Sequence, residues 1–230
     1  MKQRGPGLRG ITGIDEAGRG PMIGPLVVCG VLIQPETVQE LQRIGVRDSK
    51  TLTPKRRTEL AEQIRGIVER ISLERISAAE IDDLRAKGIT MNEIEIRAFA
   101  SILRSLRPYR AYIDAADVNA LRFGNLVGER SGLNSLGCII TSEHYADSTY
   151  PVVSAASIIA KVDRDSCIRE LQKEFGEFGS GYPSDPKTVQ FVRSLIVNRM
   201  PLPNIVRKSW KSVDRILSEA EGKQLPLDLE

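Results

Sequence analysis

Apolar residues fall in short unbroken runs near the N-terminus and in spaced stripes farther along. Residues 11–14 and 26–33 read as strands, joined by the glycine- and proline-rich stretch 18–25. The second run, LVVCGVLI, is almost wholly apolar, which predicts a strand buried on both faces. Over residues 54–70 the period changes: Leu60, Ile64, Ile67 and Ile71 recur at helical spacing behind Pro54, a residue suited to a first helical turn. Residues 72–77 read as a third strand and 79–87 as a short helix stopped by Gly88. An amphipathic helix follows over 90–106, its stripe made by Ile94, Phe99, Ile102, Leu103 and Leu106. Segments 111–114 and 138–141 are short and apolar, and Asp117 is placed to cap a helix over 118–128. Helices are expected over 151–171, 185–197 and 209–220, the first opening on the small residues VVSAASIIA and so tightly packed there.

Strands come first, then a mixture, then helices only. That order predicts an α/β core with a helical C-terminal part beginning near Ser180. A chain of 230 residues that is 41% hydrophobic can bury one large domain, or one with a subdomain. No run approaches the ~18 apolar residues of a spanning helix. The basic, glycine-rich start MKQRGPGLRG carries no signal-peptide pattern, so a soluble, cytoplasmic protein is expected. Cys29, Cys138 and Cys167 are scattered without metal spacing and read as small hydrophobes. A lone histidine, His144, excludes a histidine-cluster metal site and is expected to be structural. The net charge is only +3, yet basic residues cluster at Lys55, Arg56 and Arg57, over residues 104–110, and at Arg207, Lys208 and Lys211. Such clusters suit solvated helix faces or nucleic acid, and they need a matching chemistry to decide.

Four acids stand where that chemistry could be. Asp15 and Asp114 close apolar runs, and ligands of open α/β sheets gather at the C-terminal ends of strands. Asp147 precedes the small-residue helix, and Glu16 follows Asp15 directly. Each could equally be a cap or turn residue. Neighbours in a strand point to opposite faces, so Asp15 and Glu16 share a site only if the chain ends or bends between them; Gly18 and Gly20 suggest a bend. Asp163 and Asp165 lie among Lys161, Arg164 and Arg169 and read as surface ion pairs. A carboxylate-only set favours Mg²⁺ or Mn²⁺, and paired ions can hydrolyse a phosphodiester, which the basic clusters would help to bind.

The stretches GIDEAGRGPMIGPLVV, VRDSKTLTPKRR, YIDAADV, SEHYADSTYPVVSAASIIAKVDRD, GSGYPSDPKT and IVRKSW occur in that order over residues 11–215. Together they resemble ribonuclease HII, the type-two ribonuclease H family, and its archaeal branch in particular. The resemblance implies an α/β fold: a ribonuclease H-like mixed β-sheet flanked by helices, with a C-terminal helical region that helps clamp the substrate. It divides the chain into a catalytic domain over 1–179, a helical substrate-binding region over 180–222 and a loose tail over 223–230. It implies an endonuclease that hydrolyses the RNA strand of RNA–DNA hybrids. It also implies cutting 5′ to a ribonucleotide embedded in duplex DNA, with 3′-hydroxyl and 5′-phosphate ends. The family's metal set falls on Asp15, Glu16, Asp114 and Asp147, with Mn²⁺ or Mg²⁺ as cofactor. Its ribose-reading Gly-Arg-Gly falls on Gly18, Arg19 and Gly20, and its junction tyrosine on Tyr182. Lys50 and Lys161 match positions near substrate phosphates.

Tyr145 departs from the lysine common at that place in archaeal relatives, without removing a ligand. Junction nucleases and transposase-like enzymes on the same core would lack the Gly-Arg-Gly and Gly-Tyr-Pro elements. A nucleic-acid-binding protein that has lost catalysis would not keep all four acids. The end of the chain, QLPLDLE, sets Gln224 and Leu227 at the spacing that begins a sliding-clamp-binding motif, but without its aromatic pair. A clamp therefore stands as a candidate partner against the plainer reading of a polar terminus. A monomer with no membrane association is the default expectation.

Overall fold

A computed structural model describes residues 7–46, 52–220 and 222. The elements are β1 (Ile11–Ala17), β2 (Leu26–Ile33), α1 (Val38–Arg43), α2 (Pro54–Ile67), β3 (Arg70–Ile76), α3 (Ala78–Ala86), α4 (Met91–Leu106) and β4 (Arg110–Asp114). They continue as α5 (Ala120–Ser131), β5 (Ile139–Glu143), α6 (Ala146–Thr149), α7 (Pro151–Phe175), α8 (Pro186–Val197) and α9 (Lys211–Ala220). The strands form one sheet in the order β3-β2-β1-β4-β5. β1 runs antiparallel to β2 and parallel to β4, and β4 runs parallel to β5, so the sheet is mixed as expected.

Local chemistry explains most boundaries. Thr53 caps α2, its side chain accepting from the Arg56 N–H ahead of Pro54. Ser77 and Glu80 close a reciprocal capping box at the start of α3. α5 begins two residues later than the pattern predicts, because Asn119, not Asp117, caps it by accepting from the Arg122 N–H. Asp117 instead accepts from the Asn119 N–H and the Arg122 guanidinium, and these bonds hold its carboxyl below the usual carboxylate range. Asp163 pairs with Arg75 at 2.6 Å rather than with its neighbours along the helix.

Contacts divide the chain into two compact units. The first comprises Met1–Ala17, Val27–Arg75 and Met91–Arg164. Every residue of β2 is buried, as its apolar run predicts for an inner strand. One face of the sheet packs Val27, Cys29, Val31 and Ile33 against Leu60 and Ile64 of α2 and Val152, Val153, Ala156 and Ile159 of α7. On the other face lie Ile102 and Leu106 of α4, so close that a Cβ on Gly30 would sit 2.2 Å from Ile102. Phe99 of α4 meets Phe123 of α5 edge-on at 5.2 Å. Closer still is the approach of α7 to β1. A Cβ on Gly13 would lie 2.2 Å from the Val152 carbonyl carbon, so the first turn of α7 rests on bare strand backbone.

The second unit comprises Gly18–Leu26, Ile76–Thr90 and Asp165–Glu230. The helical region expected from residue 180 thus gathers with the end of α7, with α3 and with the loop after β1. The reason is burial: Met22 and Ile23 of that loop pack with Phe178, Val192, Val206, Val213 and Ile216. Among the described residues no helix is long and apolar enough to cross a membrane.

Candidate active site

Asp114 is the last residue of β4, as its place in the sequence predicts. Asp15 does not end its strand. β1 carries on to Ala17, with Asp15 opposite Cys29 and Glu16 opposite Val28 of β2. The bend that would have turned Asp15 and Glu16 to one side is therefore absent, and strand alternation directs the two side chains to opposite faces. Asp15 is only 5% exposed, whereas Glu16 is half-buried. The β1–β4 ladder pairs Ile14 with Ile113, so Asp15 and Asp114 come one step later on neighbouring strands. Asp147 is 4% exposed in the short helix α6. Asp114 reaches toward it: its Oδ1 accepts the Ala146 N–H at 3.0 Å, tying the end of β4 to the turn that carries Asp147. Tyr145, just before that turn, takes a left-handed backbone conformation with φ of 58°. His144 touches the Val118 carbonyl through Nε2 at 3.1 Å and so links two loops.

Electrostatics single out Asp15. Burial pushes its carboxyl up to about 6; a hydrogen bond from Ser157 opposes that rise, the Asp114 charge adds to it, and Lys161 and the Glu16 N–H pull the other way. Lys161 donates from Nζ to the Ser157 Oγ at 2.5 Å, and Ser157 is fully buried. Lys161, expected near substrate phosphates, is thus anchored beside an acid of the site. Ser157 was not singled out by sequence, although its spacing of one helical turn from Lys161 puts the two on one face of α7.

Among the described residues no three His, Cys, Asp or Glu side chains are gathered as a finished ligand cage. The arrangement nonetheless suits a cation. A buried carboxylate raised by a second carboxylate is stabilised in its charged form by any positive charge brought between them. All-oxygen donors match Mg²⁺ and Mn²⁺.

In the second unit, Gly18, Arg19 and Gly20 begin a loop whose carbonyls are held from beneath. Arg207, fully buried, donates from Nη2 to the Gly18 oxygen at 2.6 Å and from Nη1 to the Arg19 oxygen at 2.8 Å. It also donates from Nε and Nη2 to the Gly24 oxygen at 3.1 and 2.9 Å. Trp210 donates from Nε1 to the Gly20 oxygen at 3.2 Å. Arg207 is therefore no part of a solvated basic face, as its cluster suggested. A charge run cannot be told from a buried clamp by composition alone.

Tyr182 stands beside this loop. It is 37% exposed, and a Cβ on Gly20 would lie 3.9 Å from its Cε1. The Tyr182 segment is itself pinned, because the Gly181 carbonyl accepts from the Met22 N–H at 2.7 Å. Asp185 accepts from the Ser180 and Lys187 N–H groups, which holds its carboxyl below the usual range and makes it the cap of α8. Lys50 lies outside the described residues. Cys29 and Cys138 are buried, as their apolar surroundings predict, and Cys167 is half-buried.

The family profile described as ribonuclease HII matches residues 12–213. The chain is 47% identical over 222 residues to the ribonuclease HII of Pyrococcus furiosus, covering 96% of each. The crystal structure of ribonuclease H2 from Pyrococcus horikoshii superposes with a TM-score of 0.84 at 39% identity, over 92% of this chain and 98% of that one. A ribonuclease HII from Archaeoglobus fulgidus, solved in complex with PCNA, gives a TM-score of 0.82 at 41% identity, over 95% and 98%.

The Asp15 carboxyl generates a prediction about stability. Its folded value, about 6, lies above its ordinary 3.8, so the fold favours the protonated form. The resulting stabilisation is full below about pH 4 and is lost as pH rises through 6. Asp15→Asn, neutral throughout, should be more stable than the native chain by about 3 kcal/mol at pH 8 in chelator, the gain vanishing near pH 4. Denaturant unfolding at the two pH values measures this, and equal stabilities at pH 8 would remove Asp15 from the strained pair.

Proposed function

The chain belongs to the ribonuclease HII family and is a ribonuclease H, an endonuclease of RNA–DNA hybrids, and we propose that it works by a two-metal-ion mechanism. We also propose that it incises duplex DNA on the 5′ side of a single embedded ribonucleotide. The observation that carries the mechanism is the buried Asp15 carboxyl, raised by burial and by Asp114 beside it. Such a pair calls for positive charge. Asp15, Asp114 and Asp147 would hold the ions; Glu16, directed to the other face of β1, would join them only if the end of that strand turned when the ions bind. Bound Mg²⁺ or Mn²⁺ supplies activation of the attacking water and stabilisation of the leaving 3′-oxygen.

The remaining roles belong to the chain itself. Ser157 and Lys161 orient Asp15 and favour its ionised form. Gly18, Arg19 and Gly20 bring backbone close to a ribose and test its 2′-hydroxyl, a group that only RNA offers. Tyr182, next to Gly20, packs against the deoxyribose on the 3′ side of the cut. The helical region over 180–222 grips the duplex, and Lys50 with the basic residues of the clusters other than Arg207 meets its phosphates. Clamp binding through the tail over 223–230, which lies outside the described residues, is proposed from the Gln224–Leu227 spacing. The relative solved with PCNA supports it.

Three duplexes test this reading with Mg²⁺ or Mn²⁺: an RNA–DNA hybrid, DNA with one ribonucleotide, and all DNA. The first two should be cut, the second just 5′ to the ribose with a 3′-hydroxyl end, and the third left intact. Asp114→Asn and Asp147→Asn should each lower cleavage by at least ~10³-fold, since each deletes charge at the reacting centre. Binding should hold near the native level because phosphate contacts supply most of it. Native turnover in either variant would take that acid out of the site. Tyr182→Ala should lower kcat/KM on the single ribonucleotide far more than on the hybrid. An equal fall on both would reduce Tyr182 to a support for its loop. Deleting residues 223–230 should abolish affinity for the host's clamp without changing cleavage, and unchanged affinity would discard the clamp.

A further inference from the structure

Arg207 is buried without exposure, yet a charged group is costly to remove from water unless it is hydrogen-bonded. It is kept by hydrogen bonds to the Gly18, Arg19 and Gly24 carbonyls, all in the loop that follows β1. Its planar fork fixes where those oxygens stand, and with them the planes of the peptides they belong to. Its own backbone joins the same loop, the Arg207 N–H donating to the Met22 carbonyl at 2.8 Å. The indole of Trp210 lies 4.8 Å from the guanidinium and holds the next carbonyl, that of Gly20.

The turn that presents these two side chains is in turn seated on α3. Asp82 accepts the Lys208 N–H at 2.7 Å, the Ser209 N–H at 3.1 Å and the Ser209 hydroxyl at 2.7 Å. These bonds of Asp82 go to Lys208 and Ser209, and Arg85, on the same helix, lies 6.0 Å over the Trp210 ring.

We infer that Arg207, seated through residues 207–210 by Asp82, is the positioning residue that sets how Gly18, Arg19 and Gly20 discriminate ribose from deoxyribose. Three consecutive carbonyls turned down onto Arg207 and Trp210 leave those peptides a single orientation. A backbone that must tell one hydroxyl from a hydrogen needs that fixity, because a loop free to shift would accommodate either sugar. Lysine could not replace Arg207, since one ammonium cannot bond three carbonyls arrayed around a planar fork. The inference rests on the reading that Gly18, Arg19 and Gly20 contact the ribose.

The test is a ratio of dissociation constants, measured with Ca²⁺ in place of the catalytic ion so that nothing is cut. One duplex carries a single ribonucleotide and the other is the same sequence in all DNA. The native chain should prefer the ribonucleotide. Asp82→Ala, in α3, should cut that preference at least threefold, and Arg207→Lys should bring it close to one. A purely structural role for these residues would lower the unfolding temperature and leave the ratio unchanged, which would overturn the inference. Should Arg207→Lys fail to fold, Asp82→Ala decides alone. A native ratio of one would instead sink the ribose reading beneath it, and the inference with it.

Discussion

The contact of α7 with bare backbone at Gly13 is the constraint from which the setting of Asp15 follows. Because β1 offers no side chain there, the first turn of α7 sits directly on the strand. That closeness brings Ser157, farther along α7, within hydrogen-bond reach of Asp15, and Lys161 one turn beyond it. It also seals Asp15 from water, which raises its carboxyl, while Asp114 on the next strand raises it further. A looser helix would let water in and return Asp15 to an ordinary acid. Close packing and a strained charge are thus one feature, and the fold carries an electrostatic cost that a divalent ion would relieve.

The same division of labour appears in the second unit, where a buried charge serves geometry. Arg207 does for the Gly18–Gly24 loop what Ser157 and Lys161 do for Asp15: it sets an orientation that the local chain would not hold by itself. Glycines make close approach to a sugar possible, and they also leave the backbone free to wander. A guanidinium clamped to their carbonyls removes that freedom without adding side-chain bulk.

Much of this was legible in the sequence. The unbroken run LVVCGVLI gave away an inner strand, Pro54 located the start of α2, and α3 begins within a residue of its expected place. Asp114 and Asp147 could be marked because each follows or precedes an element whose end is visible in the pattern, whereas Tyr182 was marked only through the resemblance. What escaped depends on partners distant in the chain. β1 runs three residues past its apolar start because β2 supplies its hydrogen bonds, so Asp15 and Glu16 are not separated by a bend. Asp117 looked like a cap until Asn119 proved better placed. Arg207 read as one of several surface cations, since only its acceptors, at Gly18, Arg19 and Gly24, reveal it as buried. Lys50 and the tail lie outside the described residues.

The claim that the acids form a cation site is tested most directly by calorimetric titration of Mn²⁺ into the native chain, Asp15→Asn and Asp114→Asn at pH 8, without nucleic acid. The native chain should bind, and each substitution should weaken binding at least tenfold, because each removes a charged oxygen ligand from the Asp15–Asp114 pair. Binding of native strength in both variants would contradict a site built on Asp15 and Asp114, and the ions would have to be held elsewhere.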